Sequence, residues 1–536
     1  MYQIWRMKRV MTQAVLEQEW KPKASLLMIT IAVMLATFVE VLNTSIANVA
    51  LKYMAGSFSI SNDESLWIVT IFLIACSILL PATDWCSSVF GRKRFFLFCI
   101  ALFGISATIC GFAPNFEVMI LGRIFQGLGG GCLLPLSQAI LLESYPKHEQ
   151  AKAMAIFSSG ITIAPILGPI IGGWLTTNLS WNYVFFISVP FCIAAFVMVA
   201  MFIEDPPYIQ AGNAPKFDYL GMLFLIVWIA SFQVMVDNGQ KNGWFDSPYI
   251  MKLGITSLIA FISLIWWELR AKNPLLDLSI FKNWNFTFGT IILTMLFGVA
   301  YGTIAILPQF LQNMLGYDSF LSGLAAGPMG VGCVASVFFT TVTLRILGLR
   351  TQTIIGLVAF SIGCLIFSGL NLSIAFNNVL IPNIILGFGM TSVIIPCTTL
   401  LFSRVNKEEM TNAASIQNLV KNVGCAVGTS SVGFLVSSYS QTYQSYLVDK
   451  LSMLSGPFAD KVTSMSNMFM SMGHDYGTAM GMAQGKIYGL LVQQSTLCAF
   501  INAYRIYAIL ILVLIPLVFI LKRFNPAPPE EAVQDI

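Results

Sequence analysis

Three charged side chains stand inside apolar runs of this sequence, and their types set the chemistry open to it: Glu40, Arg123 and Lys421. Glu40 belongs to the stretch Thr37-Phe-Val-Glu40-Val-Leu-Asn43-Thr44-Ser45-Ile-Ala-Asn48. At 100° per residue, Thr37, Glu40, Asn43, Thr44 and Asn48 fall within one arc narrower than half a helical turn. A charge at bilayer depth costs a few kcal/mol unless it is paired, hydrated or protonated. A carboxylate so placed is suited to carry a proton. Arg123 lies in Arg123-Ile-Phe-Gln126-Gly127, roughly 10 Å below the outer boundary at 1.5 Å per residue. Glu40, entered from the other side, reaches a similar level, so the two are expected to pair and relieve each other's desolvation. The alternative is that Arg123 binds backbone carbonyls and braces helices. Lys421, with Gln417 and Asn418, is either an anion or substrate contact or a lysine reaching back to the nearer surface. Gln309 and Gln312 make a further polar end to an apolar run.

The elements that hold these groups must be membrane helices. Of 536 residues, 57% are hydrophobic and only 10% charged, and the mean hydropathy is +0.77. Soluble domains carry roughly 25% charged residues, so no single buried core accounts for this chain. The eleven cysteines are scattered through apolar runs with no CxxC or Cys/His cluster, so neither zinc nor a disulfide framework is expected. The net charge of +4 is spread over many loops, which gives no nucleic-acid patch. Two histidines, no HExxH, no serine elbow and no paired carboxylates argue against an enzyme.

Runs near the roughly 20 residues a crossing needs number fourteen. Lys and Arg crowd the loops on one side, including Arg92, Lys93 and Arg94, which places both termini in the cytoplasm. The expected organisation is an N-terminal tail (1–24), a six-helix bundle (25–203), two linker helices (204–283), a second six-helix bundle (284–522) and a cytoplasmic tail (523–536). Within the second bundle, 439–499 forms a long outer segment rich in methionine. With His474 it admits a soft copper(I) site, against the plainer reading of amphipathic helices on the membrane face.

Between Gly160 and Gly173 the chain reads Ala164-Pro165-Ile-Leu-Gly168-Pro169-Ile-Ile-Gly172-Gly173. Small residues at this spacing let a neighbouring helix approach closely, and two prolines soften the helix. Arg123-Ile-Phe-Gln-Gly127-Leu-Gly129 is echoed by Asn383-Ile-Ile-Leu-Gly387-Phe-Gly389, a weak parallel repeat of the kind transporters use. The second copy lacks the arginine and the glutamine.

These motifs, in this order, resemble the major facilitator superfamily, specifically its fourteen-helix drug:proton antiporters of the EmrB/QacA type, and most closely the EmrB branch. Leu42-Asn43-Thr44-Ser45-Ile-Ala-Asn48 is similar to the first-helix motif, Arg123-Ile-Phe-Gln-Gly to the fourth, and Gly168-Pro169-Ile-Ile-Gly-Gly to the antiporter motif of the fifth. Trp181 to Pro190, Phe217-Asp218-Tyr-Leu-Gly, Asp237-Asn-Gly-Gln and Leu307-Pro-Gln-Phe-Leu-Gln add to it. The departures fall on charges. The family's first-helix aspartate is Asn43 here, and Glu40 is its obvious replacement. The gating loop reads Asp84-Trp-Cys-Ser-Ser88-Val-Phe-Gly91-Arg92-Lys93, with serine at the aspartate position, leaving Asp84 to reach Arg92 or Lys93.

The resemblance implies a proton-coupled exporter of the bacterial inner membrane working by alternating access, with no cofactor beyond the proton gradient. It also implies a periplasmic adaptor of the EmrA type and a TolC-like outer-membrane channel as partners, with 439–499 as the adaptor contact. One deep acid against two deep bases points to neutral or weakly anionic lipophiles. A dedicated exporter of a metabolite, siderophore or fatty acid, or a non-transporting membrane sensor or scaffold, are the other readings.

Overall fold

The computed structural model describes residues 22–521, except 66, 147–148, 206–216, 241, 273, 370, 406–409, 450 and 452–455. The expected tails therefore lie outside the described residues, apart from 22–24 of the first. No strand occurs among the described residues. The first half comprises α1 (Leu26–Phe58), α2 (Trp67–Leu79), α3 (Thr83–Phe90), α4 (Arg92–Gly111), α5 (Phe116–Gly131), α6 (Leu133–Ser144), α7 (Gln150–Asn178) and α8 (Ser188–Phe202). A helical hairpin follows, α9 (Tyr219–Gly239) and α10 (Pro248–Glu268). The second half comprises α11 (Trp284–Met314), α12 (Ser319–Ala326), α13 (Pro328–Phe367), α14 (Phe376–Phe402), α15 (Met410–Val448), α16 (Gly456–Ser471) and α17 (Tyr476–Val513).

Some of these helices begin at short polar side chains that satisfy the first free amides. Asn115 accepts from Val118 N at the start of α5, Asp218 from Gly221 N at α9, and Asp318 from Leu321 N at α12. Interiors are apolar, and the buried side chains separate by half. Two clusters lie within Ile29–Ile203, and a larger one runs from Leu225 to Leu521, joined by Ile74 of α2.

Among the described residues, twelve helices are long and apolar enough to cross a membrane, or thirteen if the pair α2–α3, bent by 60°, makes one crossing. The fourteen expected crossings are thus reached only in part by length and composition. The run at 151–176 is α7, a helix of 29 residues. Within α13, Gly348 at φ 73° and ψ 160° breaks the helix, so that two crossings meet there. Only glycine takes that left-handed φ at little cost.

The segment 439–499 is helical wherever it is described, and its first and last parts continue neighbouring helices. α15 does not stop near 438 but runs 39 residues to Val448, and α17 starts at Tyr476. At 1.5 Å per residue α15 is about 58 Å long, far more than the hydrocarbon core. The two helices therefore project together, zipped by Ser440–Thr496 at 3.1 Å, Gln444–Tyr488 at 2.7 Å and Asn502–Tyr443 at 2.5 Å. Met468, Met472 and Met482 are exposed on this projection. No cluster of three or more His, Cys, Asp or Glu side chains fit for a metal occurs among the described residues.

Candidate functional site: a cavity between the two halves

A cavity lies between the halves, and its polar lining is sparse. Glu40 and Thr44 of α1 and Gln138 of α6 line it from the first half. Gln417, Asn418 and Lys421 of α15 line it from the second. Most other lining side chains are apolar, among them Phe157, Phe297 and Met390. The lining reaches Leu80, Met154 and Thr398, each within about one turn of the helix ends nearest Arg92. At the other end it stops at Pro169 and Pro308, well short of Asn178 and Met314. On α2, α7 and α14 the lining therefore runs nearer the Arg92 end.

Closure at the far end comes from the Gly/Pro motif of α7. Ser45 Oγ donates to the Pro165 carbonyl at 2.9 Å. A Cβ added at Gly168 would lie 2.4 Å from Ser45 Oγ, and one at Gly172 3.1 Å from Ile46. Those glycines let α7 lie directly on α1. The opposite side of α7 meets the second half, where a Cβ on Gly323 of α12 would lie 2.4 Å from the Pro169 carbonyl oxygen. Ala164 and Gly173 are buried in the same seam, and Pro165 and Pro169 face the cavity. The motif is thus both an internal joint and part of the contact between halves.

Arg123 does not pair with Glu40. Its side chain is fully buried, with Nε donating to the Ile68 carbonyl at 2.7 Å. One terminal nitrogen donates to Asn43 Oδ1 and Gln126 Oε1, both at 2.9 Å. The other finds no acceptor among the described residues, and the Phe72 ring lies 4.3 Å from the guanidinium carbon. Asn43 in turn donates to Ser188 Oγ at 3.0 Å. The reason is angular. Three residues at 100° put Asn43 about 60° round the helix from Glu40, enough to turn one toward α5 and the other into the cavity. The bracing alternative for Arg123 is the one the geometry favours.

Glu40 has neither a hydrogen bond nor an ion pair at its carboxylate among the described residues. Its nearest opposite charge in the cavity is Lys421, whose Nζ donates to Asn418 Oδ1 at 2.9 Å and sits 5.4 Å from the Phe297 centroid. Asn418 Nδ2 approaches Gln138 Oε1 across the two halves at 3.5 Å. The remaining expected cavity residues fall elsewhere. Thr37 is buried against α6, bonded to Val33 O and Ser137 Oγ. Asn43 and Gln126 serve Arg123, Asn48 is exposed and bonded to Thr44 O, and Gln309 and Gln312 lie outside the lining.

The gating loop is rewired. Arg92 forms its ion pair with Glu143 at the end of α6; Asp84 has no side-chain hydrogen bond among the described residues, though Arg92 stands near enough for its charge to act on that carboxylate. Asp205 accepts from the Lys93 backbone N at 2.7 Å, at the start of α4, and Lys93 Nζ donates to the Ala200 carbonyl. Gly91, at φ 85°, brings the chain close to Asp205. Neither Glu143 nor Asp205 stood out in the sequence. Both lie at the ends of apolar runs facing the same loop, which is the signal that would have found them.

The family model described as Major Facilitator Superfamily matches residues 33–429. The chain is 31% identical to the "Multidrug export protein EmrB" of Haemophilus influenzae, covering 80% of this chain and 84% of that one. It is likewise 31% identical to the "Probable multidrug resistance protein EmrY" of Escherichia coli (92% and 95%) and to the "Fatty acid resistance protein FarB" of Neisseria gonorrhoeae (93% and 96%). Among solved structures, a bacterial homologue of the human lysosomal transporter Spinster, in an inward-facing and unoccupied conformation, superposes with a TM-score of 0.52. It covers 93% of this chain and 98% of that one at 15% identity, a likeness of fold alone. The apolar helices and these relatives make this a multi-pass protein of the bacterial inner membrane. It belongs to the major facilitator superfamily, among its EmrB-type members.

Proposed function

We propose that this protein exports lipophilic and amphipathic compounds, coupled to proton entry, by alternating access of the cavity between its halves. The observation that carries the reading is the cavity itself. It is an apolar chamber between the two halves, with one unpartnered carboxylate, Glu40, from the first and one ammonium, Lys421, from the second. Glu40 is the proton site: an acid with no fixed partner changes its charge without breaking a structural bond. Arg123 holds α1, α2 and α5 in register beside it. Thr44, Gln417, Asn418 and Lys421 orient substrate, and the apolar wall binds its bulk. Pro165, Gly168, Pro169 and Gly172 form the seam on which the halves rock, and Arg92–Glu143 ties α4 to α6 so that the first half moves as one body. The expected topology of fourteen crossings with cytoplasmic termini would put the Arg92 end of the cavity on the cytoplasmic side, and the proton gradient sets the direction of export.

The names of the relatives support multidrug efflux, and the fatty acid resistance relative makes a fatty acid a sensible first substrate to include. The projecting pair α15–α17 is the docking site for a periplasmic adaptor of the EmrA type, leading to a TolC-like channel. The deciding experiment is a panel of neutral, anionic and cationic lipophiles in proteoliposomes with an imposed pH gradient. Efflux that follows the gradient and collapses with an uncoupler is expected. Efflux indifferent to the gradient would remove proton coupling from the proposal.

A further inference from the structure

The hairpin α9–α10 separates the two halves in sequence, and nothing in the cavity uses it. Its Asp237 nevertheless touches both halves. The carboxylate accepts from Thr70 Oγ1 of α2, through a short contact to Oδ2, and from Ser430 Oγ of α15 at 2.8 Å to Oδ1. Gln233 Nε2, one turn back on α9, donates to both oxygens at 3.3 Å. A few residues away, Trp244 meets Phe434 of α15 edge-on at 5.7 Å. The location is specific. The α2 residues that line the cavity are Leu73, Cys76 and Leu80 in sequence order, so Thr70 lies just past the lining. On α15 the lining ends at Cys425, and Ser430 again lies just beyond. Asp237 therefore ties the halves together immediately past the cavity's closed end.

We propose that Asp237 is a latch residue, and that α9 is a working part of the transport cycle: this clasp must release before the cavity opens at the Asp237 end. A carboxylate suits the task because it only accepts, and two hydroxyls from different halves converge on it. The proposal rests on the alternating-access reading, because a latch matters only if the halves separate there. Hydrogen bonds to a charged acceptor are strong enough that losing one shifts a two-state equilibrium by roughly tenfold.

The test is amide hydrogen exchange on the full-length protein in lipid nanodiscs, with vesicle efflux measured on the same variants. Ser430→Ala removes one arm while leaving Asp237 bonded to Thr70 and Gln233, so folding is preserved. Asp237→Ala removes the hub. Both variants are expected to raise exchange in peptides spanning 67–74 and 428–436, by up to about tenfold, with α13 and α14 unchanged. The double variant should exceed Asp237→Ala alone by no more than experimental scatter, because Ser430 then has nothing left to lose. Exchange unaltered in those two peptides would overturn the latch. So would a uniform rise across all helices, which would make Asp237 a general stabiliser, or fully additive effects in the double variant. If exchange responds as expected while no compound is exported, the latch stands and the efflux reading falls.

Discussion

Glu40→Gln separates the two ways of arranging the buried charges. Had Glu40 and Arg123 formed a pair, removing the acid would strand a buried guanidinium and cost about 3–5 kcal/mol. In the structure Glu40 has no hydrogen-bonding partner, and glutamine fills nearly the same volume, so the expected cost is below about 1 kcal/mol. Asn43 behaves in the opposite way. Asn43→Ala removes an acceptor 2.9 Å from the Arg123 nitrogen and the donor to Ser188, a loss of about 2–3 kcal/mol for a bond to a charged group. Double-variant cycles against Arg123→Gln make the contrast independent of how either single variant packs. Coupling of Asn43 with Arg123 should reach about 1–3 kcal/mol, and coupling of Glu40 with Arg123 should stay under about 0.5 kcal/mol. Unfolding by SDS titration in mixed micelles measures these terms, and proton-driven efflux in proteoliposomes is measured in parallel. Glu40→Gln is expected to lose gradient-driven efflux at nearly full stability. A Glu40–Arg123 coupling above about 1 kcal/mol would refute the assignment of Arg123 to Asn43 and Gln126. Undiminished gradient-driven efflux in Glu40→Gln would refute Glu40 as the proton site.

Other outcomes follow from contacts already described. Lys421→Ala should weaken transport of anionic lipophiles by about tenfold while sparing neutral ones, since a single charge-assisted contact is worth that much; equal losses for both classes would leave Lys421 a structural residue. Glu143→Gln should change stability by about 1 kcal/mol or less, because both partners of Arg92–Glu143 keep some solvent, and the swap Arg92→Glu with Glu143→Arg should recover activity that either single change loses. Gly168→Ala drives a methyl into Ser45 and should cost about 1–3 kcal/mol, recovered largely by Ser45→Gly; Gly323→Ala meets the Pro169 backbone, which no side-chain trimming relieves, and should loosen the contact between halves as seen by hydrogen exchange. Deleting 445–495 removes α16 with the outer ends of α15 and α17, and pull-down of a co-expressed adaptor should fail; retained binding would move the docking site elsewhere.

The class of fold was legible because lipid-facing composition is a property of the sequence itself, and the polar arc on α1 was legible because helical period converts spacing into angle. Partner choice was not, and the reason is physical. An angle of 60° between Glu40 and Asn43 sounds small, yet on a helix packed on several sides it is the difference between facing α5 and facing a cavity. Depth arithmetic put Glu40 and Arg123 level but carried no information about which side chain stood between them. The same limit hid Glu143 and Asp205, whose value depends on α6 and on the end of α8 converging on the Arg92 loop from residues about 50 and 110 positions away. An outer segment at 439–499 was legible, but not that α15 and α17 run on into it: hydropathy registers lipid contact, and a helix zipped by Ser440, Gln444 and Tyr443 needs none. The displaced charges then make sense together. With an amide at position 43, Arg123 is held by neutral acceptors, so in the proposed cycle bracing is separate from proton exchange. Glu40, one turn away and without a side-chain bond among the described residues, is on that proposal the group that changes its charge without loosening the joint between α1, α2 and α5.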